Sequence, residues 1–248
     1  MSQTSLPLLL AVKARNWRQN DDTVESADTA FKNIRKKALD RDDNTCRFCG
    51  FRSQSWQEVH HINDDHADNR LENLATACIF CHMCHHIGRA GAVNEGSIIY
   101  LPQISQTRLN HLVRSCLVAQ RWAEPYVSNV RHGAPSLIQS AKFVADAAKA
   151  LMSALRAQEA EAVRLIGTSS ATVLGEALMM IANSGSSEAY EKREKYLNGI
   201  RLLPSGTRYI GGSDVMPKIV DTWLATGGPY AQLSPTMWPG LFITAGAR

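Results

Sequence analysis

Four of the six cysteines fall into two pairs, Cys46-Arg47-Phe48-Cys49 and Cys78-Ile79-Phe80-Cys81, separated by residues 50 to 77. Paired C-x-x-C knuckles argue for metal rather than disulfides in a chain that shows no signal peptide. Zinc takes four thiolates in a tetrahedron, and two such knuckles supply them with little strain. Gly50 follows the first knuckle, where a tight turn calls for φ > 0. Cys84 lies three residues beyond Cys81 and competes with Cys78 or Cys81 for a ligand position, although the paired spacing favours the earlier two. The metal is structural in this reading. A module of roughly 45 residues has too little core to fold alone, so zinc binding becomes folding free energy.

A second set of metal-capable side chains surrounds these knuckles. Glu58-Val59-His60-His61 lies between them, and His82 and His86 follow the second. If the segment from Cys81 is helical, His82 and His86 share one face and can hold a divalent ion together with His60. Imidazole ligands favour transition metals over Mg²⁺, which leaves Mg²⁺, Mn²⁺, Ni²⁺ and Zn²⁺ open. His85 competes with His86 for the same role, whereas His66, His111 and His132 have no partners in sequence and read as ordinary histidines.

The elements that must position these groups can be read from periodicity. Leu6 to Val12 is an apolar run without a preceding basic region, followed at once by Lys13 and Arg15; it reads as a first strand, with a turn near Trp17. Ala30, Phe31, Ile34, Ala38 and Leu39 make a helical stripe from about Ala27 to Arg41. Gly88 to Gly96 reads as a loop, Ser97 to Leu101 as a strand closed by Pro102, and Ser105 to Trp122 as a core-facing helix carrying a buried Cys116. Pro125 to Pro135 is a connector. Ser136 then caps a long helix to about Arg164, with Ile138, Ala141, Ala145, Ala148, Met152 and Leu155 inward. Ala171 to Ala182 follows with Val173, Leu174, Leu178 and Ile181 inward, then a polar helix over Glu188 to Leu197 and a short one over Lys218 to Leu224. From Leu202 onward glycine and proline are frequent, and Tyr230, Met237, Trp238, Leu241 and Phe242 form an apolar, irregular tail that packs on its own body.

The expected class is therefore α+β, a zinc module embedded in a mainly helical body. Its segments are an N-terminal strand and turn (1–26), the zinc module (27–90), the helical body (91–203) and a Gly/Pro-rich C-terminal segment (204–248). Of the 248 residues 44% are hydrophobic, as in ordinary globular proteins. No run of about 18 apolar residues is present, so a membrane-spanning chain is not expected, and the default location is cytosolic. A net charge of +4 permits a nucleic-acid or acidic partner without demanding one. The Arg35-Lys36-Lys37 cluster with Arg41 reads as a solvated helix face.

Two resemblances rest on these residues. Val59-His60-His61-Ile62, Leu71-Glu72-Asn73-Leu74 and Cys78-Ile79-Phe80-Cys81-His82 resemble the HNH endonuclease motif. That resemblance implies a treble-clef ββα fold for the zinc module, with His61 as the general base, Asn73 holding its ring through the side-chain carbonyl, and His60, His82 and His86 binding the catalytic ion beside DNA. More widely, Phe31 to Arg52, Asn69 to Leu74, Ile99-Tyr100-Leu101-Pro102 and Ile200 to Ser205 resemble the IcmJ/DotN family of type IVB secretion systems, over roughly residues 5 to 225. This implies a bacterial cytoplasmic adaptor, peripheral at the inner membrane, docked beside the type IV coupling ATPase and other coupling-complex subunits. In that family the HNH fold serves as a zinc-stabilised platform. The full His-Asn-His set departs from this pattern and keeps a metal-dependent endonuclease as the alternative.

Overall fold

The computed structural model describes residues 5–12, 29–65, 68–128, 134–184, 187–232 and 237. Trp17, His66, His132, Trp238 and most of the C-terminal tail lie outside them. The described chain is mixed helix and small sheets, an α+β arrangement. Helix α1 spans Thr29–Arg41, and strands β1 (Gln57–His61) and β2 (Leu74–Cys78) form an antiparallel hairpin that pairs Gln57 with Cys78 and His61 with Leu74. Every residue of β2 is buried. Its two faces meet different layers, with α1 on one side and the main core on the other, so Leu-Ala-Thr-Ala-Cys lacks the alternation of a half-exposed strand. Helix α2 (Ile79–Cys84) starts at the second knuckle.

Leu6 to Val12 does not form a regular strand. Its backbone instead ties the module down. Leu6 N–H donates to Arg47 O (2.9 Å) and Ala11 N–H to Cys84 O (2.8 Å). The Val12 amide and carbonyl both bond the Tyr190 hydroxyl (3.0 and 2.9 Å). Tyr190 belongs to α8 (Ser187–Glu191), which with α9 (Arg193–Tyr196) replaces the single exposed helix expected there.

Gly88 to Gly96 is not a loop. Ile87–Ala92 is helix α3, and its glycines serve a close helix crossing. A Cβ on Gly175 of α7 (Ala171–Asn183) would lie 2.6 Å from Gly88 Cα, so the two backbones touch where side chains would hold them apart. Packing this way leaves Val173 and Ile181, both expected inward, exposed at 49% and 37%.

Strand β3 (Gly96–Tyr100) pairs antiparallel with β4 (Ile200–Pro204), a strand that the glycine- and proline-rich composition concealed. On its far side β4 meets Gln106, whose amide nitrogen donates to Leu202 O (2.8 Å) while its oxygen accepts from Leu202 N (2.9 Å). Gln106 opens α4 (Gln106–Ser128), which continues through Pro125 rather than ending near Trp122. Helix α5 (Pro135–Ala157) has Ala134, not Ser136, at its N-cap and Pro135 at the first helical position. It packs Ala141 and Ala145 against Ala123, and α6 (Glu159–Ile166) is separated from it at Gln158.

By length and composition Pro135–Asn183 is apolar enough to cross a membrane. It is three helices rather than one rod, however, and Gly167 in the left-handed region divides α6 from the separately capped α7. The hairpin of β5 (Tyr209–Ile210) and β6 (Ser213–Asp214) precedes α10 (Met216–Leu224), which buries Trp223 in the same core as Phe51 and Phe80.

Candidate functional site

The first knuckle is a small hairpin after α1. Cys46 N–H donates to Phe51 O and Gly50 N–H to Cys46 O, both at 2.9 Å, and Gly50 takes φ +75° as its position requires. Gln57 locks this turn to β1 by donating to Asn44 O (2.7 Å) and Phe51 O (2.9 Å). The second knuckle lies where β2 turns into α2, so hairpin pairing brings the two together. The ligand atoms of Cys46, Cys49, Cys78 and Cys81 all lie within 4.8 Å of one another. A tetrahedral zinc with Zn–S bonds of about 2.3 Å sets its sulfurs about 3.8 Å apart; Cys49 and Cys78 Sγ are 3.7 Å apart. The four cysteines can therefore hold a metal ion. Cys84 is excluded from the quartet, its thiol bonding Phe80 O at 3.3 Å.

Polar groups of α4 surround this cluster. Arg114 is fully buried, donates to Cys78 Sγ (3.1 Å) and stacks over Phe51, 3.8 Å from the ring centroid. Asn110 donates to Cys81 Sγ at 3.4 Å. His111, read from sequence as ordinary, bonds Cys49 O through Nε2 (2.8 Å) and Arg114 through Nδ1 (3.2 Å). Burial alone would raise the Cys78 thiol. Hydrogen bonds from Cys46, Cys49 and Cys81, with the Arg114 charge, instead hold it well below the usual range. Burial and the neighbouring thiols push Cys46 and Cys81 upward. Four thiols this close cannot all ionise unaided; a dication would supply the missing charge. A lone arginine among Leu112, Val113, Cys116 and Leu117 was the readable sign that α4 faces a buried anion.

The second cluster draws His60 from β1, His82 from α2 and His86 from the turn between α2 and α3, so His82 and His86 do not share one helix as their spacing suggested. His60, His82 and His86 present ligand atoms within 4.8 Å of one another. His85 is not in that group and stacks on His60, with centroids 3.9 Å apart. His82 Nδ1 donates to Glu58 Oε2 at 2.5 Å, so Nε2 is the ring nitrogen left to face an ion. Glu58 Oε1 accepts from Arg208 (2.6 Å), whose other terminal nitrogen donates to Glu95 (2.9 Å). Burial would raise the Glu58 carboxyl, but Arg208 and His82 bring it down to about 2. Glu58 was legible as the residue two before His60 on the same strand face. Arg208 and Glu95 carry no local signal.

His61 is buried, stacks on Phe31 (5.7 Å) and is bonded through Nε2 to Asn69 Oδ1 at 2.9 Å. Asn73, expected to hold that ring, is committed elsewhere. Its carbonyl accepts from Asn63 N (3.0 Å), and its amide donates to Asn63 Oδ1 and Asp68 O (both 2.8 Å). A 3₁₀ turn over Leu71–Asn73 aims Asn73 into the preceding loop, so Asn69 rather than Asn73 meets His61 among the described residues. The α1 cations are not simply solvated either. Arg35 donates to Gln57 O (2.6 Å) and Arg41 to Leu71 O and Leu74 O (2.6 and 2.7 Å), while Lys36 and Lys37 face outward.

Fold and site together define an α+β protein built round a four-cysteine cluster able to hold a metal ion. No protein-family model matches the chain. It is 31% identical over 227 residues to the type 4 apparatus protein DotN of Legionella pneumophila, covering 91% of this chain and 92% of that protein. The chain belongs to the IcmJ/DotN family.

Proposed function

We propose that the chain is a zinc-stabilised subunit of a type IVB secretion (type IV coupling) complex, a cytoplasmic adaptor beside the coupling ATPase. The observation that carries this reading is the end-to-end match to a type 4 apparatus protein. A shared domain alone would align over the cysteine module and stop; this match runs through the helical body. The metal in this reading is zinc, because four thiolates at tetrahedral spacing select it over harder ions. Its role is structural. The β1–β2 hairpin, α2 and the two knuckles form a treble-clef ββα unit of the HNH kind, and Arg114 makes the metal centre part of the seam with α4. The test is co-expression with the cytoplasmic part of the coupling ATPase from the same bacterium. Co-elution on gel filtration is expected, and a zinc-loaded chain that elutes alone counts against the adaptor role.

A second reading has one observation in its favour, the Glu58-oriented His82 beside His60 and His86. These three imidazoles form a site for a second divalent ion. Imidazole donors suit Ni²⁺ or Zn²⁺ better than Mg²⁺ or Mn²⁺. Endonuclease chemistry with His61 as base and DNA as substrate is the less favoured extension, since Asn73 does not hold His61. Incubating supercoiled plasmid with the protein and Mg²⁺, Mn²⁺ or Ni²⁺ tests it. Nicking that His61→Ala abolishes would establish it, and intact plasmid in all three metals would remove it.

A further inference from the structure

We propose that Arg208 is a positioning residue for His82, and that occupancy of the His60–His82–His86 site is coupled through it to the fold of the 205–214 segment. The inference rests on the divalent-ion reading of that site. It starts from a chain of buried and half-buried charges. Arg208 is 7% exposed and Glu95 is fully buried. The guanidinium divides its two terminal nitrogens between Glu58 Oε1 (2.6 Å) and Glu95 Oε2 (2.9 Å). Glu58 passes the constraint to His82 Nδ1 through its other oxygen. Glu95 passes it the other way, accepting from Tyr209 N at 2.7 Å through Oε1. Arg89 adds a weaker contact to Glu95 Oε2 at 3.6 Å.

The backbone around Arg208 is held by the same group of residues. Ser205 N–H donates to Glu95 O (2.8 Å), and Arg208 N–H donates to Asp214 Oδ1 (2.9 Å), which also accepts from Met216 N (2.9 Å). The β5–β6 hairpin therefore closes on a residue whose side chain orients a metal ligand lying 126 positions earlier (208 minus 82). A ligating histidine gains basicity and a fixed ring from a carboxylate on its other nitrogen. That carboxylate is itself fixed only while its second oxygen is held. Without Arg208, the half-buried Glu58 and the buried Glu95 lose the cation they share, Arg89 at 3.6 Å from Glu95 being a more distant one among the described residues, and Glu58 loses the geometry that points it at His82. Linkage makes the effect reciprocal: an ion that needs His82 in this rotamer stabilises the 205–214 segment that supplies Arg208.

The experiment uses the full chain loaded with one zinc per molecule and titrated with Ni²⁺ by calorimetry, with His60→Ala defining the second site. Arg208→Met is expected to weaken Ni²⁺ binding about 10- to 100-fold while the zinc is retained. Arg208→Lys, which offers one compact ammonium in place of a two-armed fork, is expected to fall between. Amide exchange in residues 205–214 of the wild type is expected to slow when Ni²⁺ is added, a readout that needs no variant to fold. Unchanged Ni²⁺ affinity in Arg208→Met, or wild-type exchange indifferent to bound Ni²⁺, overturns the coupling and leaves the ion site standing. Wild type that binds no more Ni²⁺ than His60→Ala overturns the ion site and this inference with it.

Discussion

Replacing Arg114 by Met tests how the metal centre is joined to the helical body. A zinc held by the four thiolates would carry a net charge of about −2, and Arg114 lies against the cysteine cluster with Nη2 3.1 Å from Cys78 Sγ. The guanidinium is fully buried over the Phe51 ring. Methionine fills much of the same volume and removes the cost of burying the cation, which favours the variant. Against that, the variant leaves the buried anion without its counter-charge, a loss of about 3–5 kcal/mol. It also removes a desolvated cation–π contact of about 2 kcal/mol. Subtracting the relieved desolvation, the net loss is about 3 kcal/mol. For a chain of this size that is about 6–12 °C in melting temperature. Urea unfolding is the assay, since its midpoint does not depend on scan rate, and chelator competition run alongside should show weaker zinc retention. Arg114→Lys should lose less, keeping the charge but not the fork. An Arg114→Met protein with wild-type midpoint and wild-type zinc retention would refute the charge-compensation argument.

Three further outcomes follow from the same geometry. Gly175→Ala should lower the unfolding free energy read from urea titration by about 1–3 kcal/mol, although helix propensity alone favours alanine by about 1 kcal/mol, because the new Cβ would lie 2.6 Å from Gly88 Cα. Cys81→Ser should reduce bound zinc well below one per chain and unfold the module, read by elemental analysis and circular dichroism. Acid should act partly through Asp42. Burial would raise this carboxyl, but the paired Arg41 bonds (2.7 and 2.8 Å) and the Thr76 amide (3.0 Å) outweigh burial and lower it. Its folded pKa is thus below the unfolded value of about 3.9, the unfolded chain binds the proton more readily, and stability is lost as pH falls through that window. Asp42→Asn should cost about 2 kcal/mol at neutral pH and should flatten the decline of the urea midpoint between about pH 5 and 3 relative to wild type.

Spacing made the four-cysteine cluster legible because its two knuckles are local: each C-x-x-C encodes its own turn, and Gly50 marks one of them. The proximity of His60, His82 and His86 was legible from a strand face and a spacing of four, although α2 ends at Cys84 and His86 lies beyond it, at the start of α3, rather than on a shared helical turn. Helices α1, α4 and α7 announced themselves by apolar period, though α4 ran on past Pro125 and α7 leaves Val173 and Ile181 exposed. Non-local pairing was hidden. Strand β4 lies among glycines and prolines and becomes a strand only by meeting β3 and Gln106. Gly88 and Gly91 signalled a loop by composition, yet they allow α3 to touch α7. The charge chain through Arg208 could not be read at all, since nothing near residue 208 refers to residues 58, 82 or 95. Asn73 stands at the expected position in sequence, but a 3₁₀ turn aims it into its own loop.

Native mass spectrometry of the chain co-expressed with the cytoplasmic part of the coupling ATPase from the same bacterium tests the central claim most directly, because one mass reports both composition and metal. The account predicts a complex containing both chains, with one zinc carried by this subunit and both zinc and complex lost in Cys81→Ser. A zinc-loaded chain found only by itself would contradict the adaptor role, and a metal-free chain found in the intact complex would contradict the zinc that is said to stabilise it.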